Sequence, residues 1–365
     1  MRAAICHETG RPVVVEEVTL DGPRRGEVRL RVAAAGVCHS DLSVVNGTIP
    51  VKVPIVLGHE GAGVVEEVGE GVTHVARGDR VVLAWVTQCG DCFFCRGGQP
   101  ELCEVGARIN ATHRMPDGSS RVRRGGEEVN VHSAVGTMAE EAVVPARAAV
   151  KLPADASLET CALLGCAVMT GVGAVLNTAR VRPGSRVAVF GAGGVGLNAI
   201  QGAVIAGAER IIAVDARPEK LARARKLGAT DGIDASQADA VKSVRGLTDG
   251  RGADYAFEVV GRKDTIEQAL AATRKGGTCV VVGIASTRET VSLNAFGIPF
   301  YEKRLLGCWY GGADVHADVP RLLALAAAGR LKLDELVTRT YRLDDVNRAF
   351  DDMAAADTAR GVIVF

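Results

Sequence analysis

Arg186-Val-Ala-Val-Phe190-Gly191-Ala-Gly193-Gly194-Val195-Gly196 decides the fold. Its apolar residues predict a buried strand, and the glycines turn the chain into Leu197-Asn-Ala-Ile200, the start of a helix. Gly191 permits a tight turn, Gly193 lets backbone approach a pyrophosphate, and Gly196 lets the helix pack close on its strand. Backbone N–H groups at that helix N-terminus then face the anion. A lone glycine fingerprint is weak, so the next strand carries weight. Arg210-Ile-Ile-Ala-Val-Asp215 ends in an acid 24 residues beyond Gly191, where an adenosine ribose needs a hydroxyl acceptor. Together they predict a nicotinamide dinucleotide in an α/β domain with a doubly wound parallel sheet.

Outward from that turn, residues 168–309 alternate strand and helix, with apolar strands expected at 187–190, 211–214, 255–259 and 279–282. Between the second and third, 218–228 reads as a helix closed by Gly228. Residues 1–167 read instead as β-rich, with runs such as Val13-Val-Val15 and Arg80-Val-Val-Leu-Ala84 punctuated by Gly and Pro turns. The segment 310–365 holds helices at 319–328 and near 343–353. It is too short for a third domain and is expected to return and pack on the first. The 365 residues thus make two domains.

Lys plus Arg and Asp plus Glu both number 43, so no global charge favours nucleic acid or an anionic membrane. Arg2, Glu8, Arg11, Glu16 and Glu17 leave no apolar signal-peptide core in the first twenty residues. Two uncharged runs, 160–179 and 187–208, are laced with glycine and read as buried elements rather than membrane spans. A cytoplasmic protein is expected. Its ten cysteines include a tight cluster, which in that compartment favours metal over disulfides.

That cluster is Cys89-x₂-Cys92-x₂-Cys95-x₇-Cys103, in a loop containing Gly90, Gly97, Gly98 and Pro100. Four thiolates so spaced suit a closed tetrahedral zinc site with Zn–S of about 2.3 Å. The loop has little apolar content to fold itself, so a metal would hold it. An iron–sulfur cluster or redox thiols remain open alternatives. A second set is spread along the chain: Gly36-Val-Cys38-His39-Ser40-Asp41, Gly58-His59-Glu60-Gly61-Ala-Gly63, and Gly165-Cys166. Two thiolates and an imidazole make the donors of a catalytic zinc that keeps one position open. Spacing alone does not show that they meet. Taken alone, Cys38 reads as a buried small hydrophobe.

Those motifs, with Leu164-Gly-Cys166 and Gly191-Ala-Gly-Gly-Val-Gly196, stand in the order found in the zinc-dependent medium-chain alcohol dehydrogenases. The chain resembles that family from end to end, closing with Arg360-Gly-Val-Ile-Val-Phe365. The resemblance implies a β-rich GroES-like catalytic domain, a Rossmann domain for NAD, and two zinc ions per chain. Cys38, His59 and Cys166 would bind the catalytic zinc, and Cys89, Cys92, Cys95 and Cys103 the structural one. Asp41 would orient the imidazole, Glu60 would lie behind the metal, and Ser40 would take the alcohol proton. Thr170 and Val195 would press the nicotinamide into place, Val282 and Ile284 would bind the cofactor, and His39 and Arg360 would reach the pyrophosphate. Ile49, Trp85 and His132 would wall the alcohol pocket.

Ser43 stands where the family often has the outer relay histidine, and His39 where many members have arginine. Asp215 favours NAD over NADP, with Arg217 as the counter-argument. The segment 104–131 resembles the long loop of dimeric members, and Arg304-Leu-Leu-Gly-Cys-Trp309 would be an edge strand pairing with its two-fold mate. A thiol-adduct formaldehyde dehydrogenase is the rival substrate reading, although the arginine it needs falls on Ala107, with Arg108 adjacent. A zinc-free quinone or enoyl reductase would lack the Cys38, His59, Cys166 set. A non-catalytic NAD-binding protein would have no reason to keep Ser40 beside it.

Overall fold

In the computed structural model, which describes residues 1–355 and 358–365, strand Arg186–Phe190 lies inside a six-stranded parallel sheet. The order across it is Asp231–Asp234, Arg210–Asp215, Arg186–Phe190, Ala253–Glu258, Thr273–Val281 and Arg304–Gly307. Numbered within the sheet this is 3-2-1-4-5-6, the doubly wound order with its crevice where direction reverses. That point lies between Arg186–Phe190 and Ala253–Glu258, beside the glycine turn. Inner strands are buried on both faces, and Ala188, Phe190, Ile212, Val214, Ala256 and Cys279 pack into one core. Asp231–Asp234 carries no apolar run because it is an edge strand, so periodicity did not mark it.

Gly191 has φ of 98°, a left-handed conformation that glycine adopts without cost. A Cβ on Gly196 would stand 1.9 Å from the Gly191 carbonyl oxygen, so helix Gly194–Ile205 reaches its strand only because that position is bare.

Two compact units divide the chain. One comprises residues 1–166, 314–326 and 333–365, and the other 167–313 and 327–332. The segment after 309 is therefore shared: residues 310–313 and 327–332 group with the parallel sheet.

The first unit is built on strand Glu27–Val37. It pairs antiparallel with Gly61–Val68, Glu141–Pro145 and the C-terminal strand Arg360–Val364 within a seven-stranded sheet. Val28, Leu30 and Val32 alternate inward against Val65, Val81, Leu83 and Val144. A second sheet runs Asn130–Val131, Ile55–Val56, Arg2–Cys6, Val14–Glu17. The segment expected as a long loop contains helix Glu104–Thr112 and a hairpin, Val122–Arg124 with Glu127–Glu128. Gly125 and Gly126 both have positive φ there, as a two-residue hairpin turn requires. The helix expected at 319–328 spans Val315–Ala327, four residues earlier at its start, with Pro320 inside it.

Among the described residues no single helix is long and apolar enough to cross a membrane.

Candidate active site

Three backbone features bring the scattered motifs of the first unit together. Strand Glu27–Val37 delivers Cys38, which caps helix His39–Val45 and leaves Asp41 buried in its first turn. Strand Ile55–Val56 delivers Gly58, whose φ of 94° turns His59 and Glu60 inward before Gly61–Val68 begins. Gly165 lies so close to the strand Arg80–Leu83 that a Cβ there would meet the Leu83 carbonyl at 2.4 Å, and Cys166 follows it. Donor atoms of Cys38, His59, Glu60 and Cys166 consequently lie within 4.8 Å of one another, all buried.

His59 Nδ1 stands 3.0 Å from Asp41 Oδ2 as an ion-pair contact, and both ring nitrogens are buried with no hydrogen-bond partner among the described residues. A buried imidazole held beside a carboxylate and two thiols, with neither ring nitrogen hydrogen-bonded, has the surroundings of a metal ligand. Ser40 Oγ lies 3.8 Å from Cys38 Sγ. The hydrogen bond between the sulfurs holds the Cys38 thiol well below its ordinary range and Cys166 well above it. Burial and the Cys38 charge add to the Cys166 shift. Burial opposes ionisation of Asp41, yet His59 and His132 hold its carboxyl well below the usual carboxylate range. The donor set therefore fits a soft divalent ion such as zinc: two sulfurs, one neutral nitrogen, and a carboxylate behind them.

Glu60 is completely buried, and the Arg360 guanidinium is ion-paired with its carboxylate. Burial lifts the Glu60 carboxyl to about 7, against the pull of Arg360. A Cβ on Gly36 would collide with Glu60 Oε2 at 2.2 Å, so that glycine makes room for the pair. Arg360 meets Glu60 through one guanidinium nitrogen, and its Nε is buried without a hydrogen-bond partner among the described residues.

The four loop cysteines also converge, with their sulfurs within 4.8 Å of one another and none in a disulfide. Amide groups aim at the sulfurs: Cys89 N–H donates to Cys103 Sγ at 3.3 Å, and Asp91 and Cys92 N–H groups donate to Cys89 Sγ at 3.4 Å. Backbone hydrogen bonds pull the Cys92 thiol down to about 6, whereas burial pushes Cys95 up to about 12. Amide donors aimed at sulfur suit thiolates, and four thiolates suit a closed tetrahedral site.

In the second unit a Cβ on Gly193 would find nothing within 4 Å, which leaves open space in front of the glycine turn. Asp215 Oδ2 accepts from Ala192 N–H at 2.8 Å and Oδ1 from Arg217 N–H at 3.1 Å. The acid therefore braces the turn while retaining lone pairs for a further donor. Val282 is buried, Gly194, Val195 and Thr170 are partly exposed, and Ile284 is exposed. The open turn and the braced acid fit a dinucleotide.

The alcohol dehydrogenase GroES-like domain model matches residues 24–154, and the zinc-binding dehydrogenase model matches residues 194–328. The chain belongs to the zinc-binding alcohol dehydrogenases. An NDMA-dependent alcohol dehydrogenase of Amycolatopsis methanolica is 42% identical over 100% of this chain and 98% of its own. An S-(hydroxymethyl)glutathione dehydrogenase of Synechocystis is 39% identical over 99% of each. Among solved structures, benzyl alcohol dehydrogenase from Acinetobacter calcoaceticus superposes with a TM-score of 0.95 at 32% identity, covering 100% of this chain and 99% of the other. As a member of this family the chain is an oxidoreductase that interconverts alcohols with aldehydes or ketones, working with a metal and a nicotinamide cofactor.

Around this dehydrogenase site the remaining expected residues are spread unevenly. Trp85 stands edge-on to His59 with ring centroids 6.3 Å apart, and Ile49 packs on the core that includes Val44 and Leu57. His39 is exposed at the start of its helix. His132 Nδ1 lies 2.8 Å from Asp41 Oδ1, a contact the sequence reading did not include. Two contributors escaped the motif reading, the Glu60–Arg360 pairing and His113, whose ring meets His132 edge-on. Gly36 is the one local signal that could have disclosed the first.

Proposed function

We propose that the chain is an NAD-linked alcohol dehydrogenase carrying two zinc ions, one catalytic and one structural. The observation that carries this is the buried His59 imidazole, with no hydrogen-bond partner on either nitrogen, grouped with the sulfurs of Cys38 and Cys166. Cys38, His59 and Cys166 hold the catalytic ion, and Cys89, Cys92, Cys95 and Cys103 the structural one. Zinc supplies Lewis acidity that lets an alcohol hydroxyl ionise near neutral pH, and NAD supplies the hydride acceptor.

The chain's own groups do the rest. Ser40 Oγ, beside Cys38, takes the alcohol proton. Helix His39–Val45 then offers His39 or water for its release, because Ser43 stands at the outer relay position. Asp41 holds His59 by its Nδ1, leaving Nε2 to the metal. Glu60, buried against Arg360, adds negative charge behind the donors. Trp85 presents an apolar ring beside them, which suits a small alcohol over a charged substrate.

On the nucleotide side, the glycine turn and the N-terminus of helix Gly194–Ile205 receive the pyrophosphate. Asp215 accepts from the ribose 2′-hydroxyl and repels a 2′-phosphate. Thr170, Val195, Val282 and Ile284 hold the nicotinamide.

The dehydrogenase works as a homodimer in the cytoplasm, where its thiols stay reduced. Arg304–Gly307 is an edge strand, and around it Phe296, Phe300, Tyr301, Leu305 and Trp309 are exposed. An uncovered apolar edge of that kind calls for a second copy.

Zinc analysis with a panel of alcohols followed at the reduced-nicotinamide absorbance tests the reading. An S-hydroxymethyl thiol adduct belongs in that panel, given the Synechocystis relative. Two zinc ions and alcohol-dependent NADH formation are expected. One zinc or none, or no NADH with any alcohol, would defeat it.

A further inference from the structure

His132 does not stand at Asp41 by chance of packing. Strand Asn130–Val131 runs parallel to Ile55–Val56, with Val131 opposite Val56, so the same two paired residues deliver His132 and His59 into one place. Directly after His132 the backbone is forced: Ser133 and Ala134 have φ of 51° and 52°, although neither is glycine. Both are buried. Left-handed non-glycine residues persist only where their surroundings over-determine them, and two in succession mark a conformation held for a purpose. Gly136 completes the run, since a Cβ there would meet Val131 Cγ1 at 2.5 Å. The outcome is a ring whose centroid lies 5.0 Å from that of His59 and whose Nδ1 reaches Asp41.

Asp41 is wholly buried and its two oxygens are divided. Oδ1 accepts from Gly58 N–H at 3.0 Å and faces His132 Nδ1 at 2.8 Å. Oδ2 is left to His59 Nδ1 at 3.0 Å. An ionised carboxylate only accepts, so His132 must donate from Nδ1. With Oδ1 saturated by two donors, the carboxylate is unable to swing away from His59. The tautomer that bares His59 Nε2 is thereby held.

We propose that His132 is a positioning residue for the metal ligand His59, acting through Asp41. The inference rests on the reading of Cys38, His59 and Cys166 as a zinc site. It replaces the expectation that His132 walls the alcohol pocket.

The test compares zinc retention in the purified parent, His132→Ala, His132→Asn and His132→Gln proteins during titration with a chelator. The absorption spectrum of the cobalt(II)-substituted proteins and separate kcat and KM values are recorded alongside. Groups that orient a ligand are worth about 10–100-fold in metal affinity. His132→Ala should therefore release one of its two zinc ions at roughly 10–100-fold lower chelator, with a shifted cobalt spectrum and a fall in kcat. The zinc of the four cysteines should stay, and it reports that the unit is folded. Asn places an N–H where Nδ1 stood and should restore retention, whereas Gln places it where Nε2 stood and should not. If His132→Ala does not fold, the difference between Asn and Gln decides the matter alone, and equal behaviour of the two overturns the proposal. Parent-like retention and spectrum in His132→Ala, with only KM raised, would also overturn it and return His132 to the alcohol pocket. A parent that holds zinc at the four cysteines alone would sink the zinc assignment itself, a result visible before any variant is made.

Discussion

Arg360 and Glu60, 300 positions apart in the chain, form an ion pair in which the guanidinium is 5% exposed and the carboxylate not at all. Strand Arg360–Val364 brings the arginine there by pairing with the end of Glu27–Val37, where Gly36 leaves room for the carboxylate. Removing one partner strands a buried charge, at a cost of about 3–5 kcal/mol. Arg360→Ala should lose that much stability in denaturant titration of the zinc-loaded enzyme. The double variant Arg360→Met with Glu60→Gln should recover most of it. Equal loss in single and double variants would show that packing, not the charge, was the cause.

The two cysteine sets should fail differently. Cys166→Ala should abolish turnover while leaving the fold and the zinc of the four-cysteine loop, because it empties a site that helps no loop to fold. Cys95→Ala should first cost solubility or thermal stability, because the loop Cys89–Cys103 has no apolar core of its own. A folded Cys166→Ala enzyme with most of its activity would remove the catalytic assignment.

NAD should be preferred to NADP by at least about tenfold in kcat/KM, a difference of roughly 1.4 kcal/mol. The cause is the Asp215 carboxylate, which would face a 2′-phosphate. Because Asp215 also accepts from the Ala192 and Arg217 amides, Asp215→Asn keeps an acceptor while removing the charge. It should narrow the preference through NADP, with a modest loss for NAD. Comparable values for both cofactors in the parent would refute the assignment.

Acid should weaken the first unit through His113. Burial, with His132 beside it, depresses this imidazole from an ordinary 6.5 to about 4. Between those values the unfolded chain binds more protons than the folded one, so stability rises with pH across the window. The contribution is intact above about 6.5 and is lost as pH falls towards 4, with a ceiling of about 3 kcal/mol. His113 has φ of 55° and its Nδ1 accepts from Ser133 N–H, both of which asparagine reproduces. His113→Asn should therefore flatten the stability slope between pH 4 and 6.5. An unchanged slope would mean that other groups carry the acid response.

Light scattering at micromolar concentration should give the mass of two chains. Leu305→Arg places a charge on the apolar edge of Arg304–Gly307 and should shift the mass towards one chain. A parent mass of one chain or of four would sink the dimer assignment.

The sequence by itself determined what is local or periodic. The apolar run 187–190, the glycine turn and the acid at 215 each depend on a few neighbouring residues, and the parallel sheet followed from them. Cys89, Cys92, Cys95 and Cys103 were legible for the same reason, because their spacing alone confines four sulfurs to one loop. The polar edge strand Asp231–Asp234 was lost because its local signal was absent, and helix Val315–Ala327 was placed four residues late at its start.

Only the tertiary structure decided which distant groups meet, and in what direction each side chain points. Cys38, His59 and Cys166 converge because two strands, Glu27–Val37 and Ile55–Val56, and the helical turn Ala162–Gly165 of one unit end at the same place, and no spacing along the chain encodes that. Parallel pairing of Asn130–Val131 with Ile55–Val56 set His132 beside Asp41. Antiparallel pairing of Arg360–Val364 set Arg360 on Glu60. A β-ladder joins residues far apart in sequence and fixes each side chain to one face. A shift of one residue would turn every one of them away.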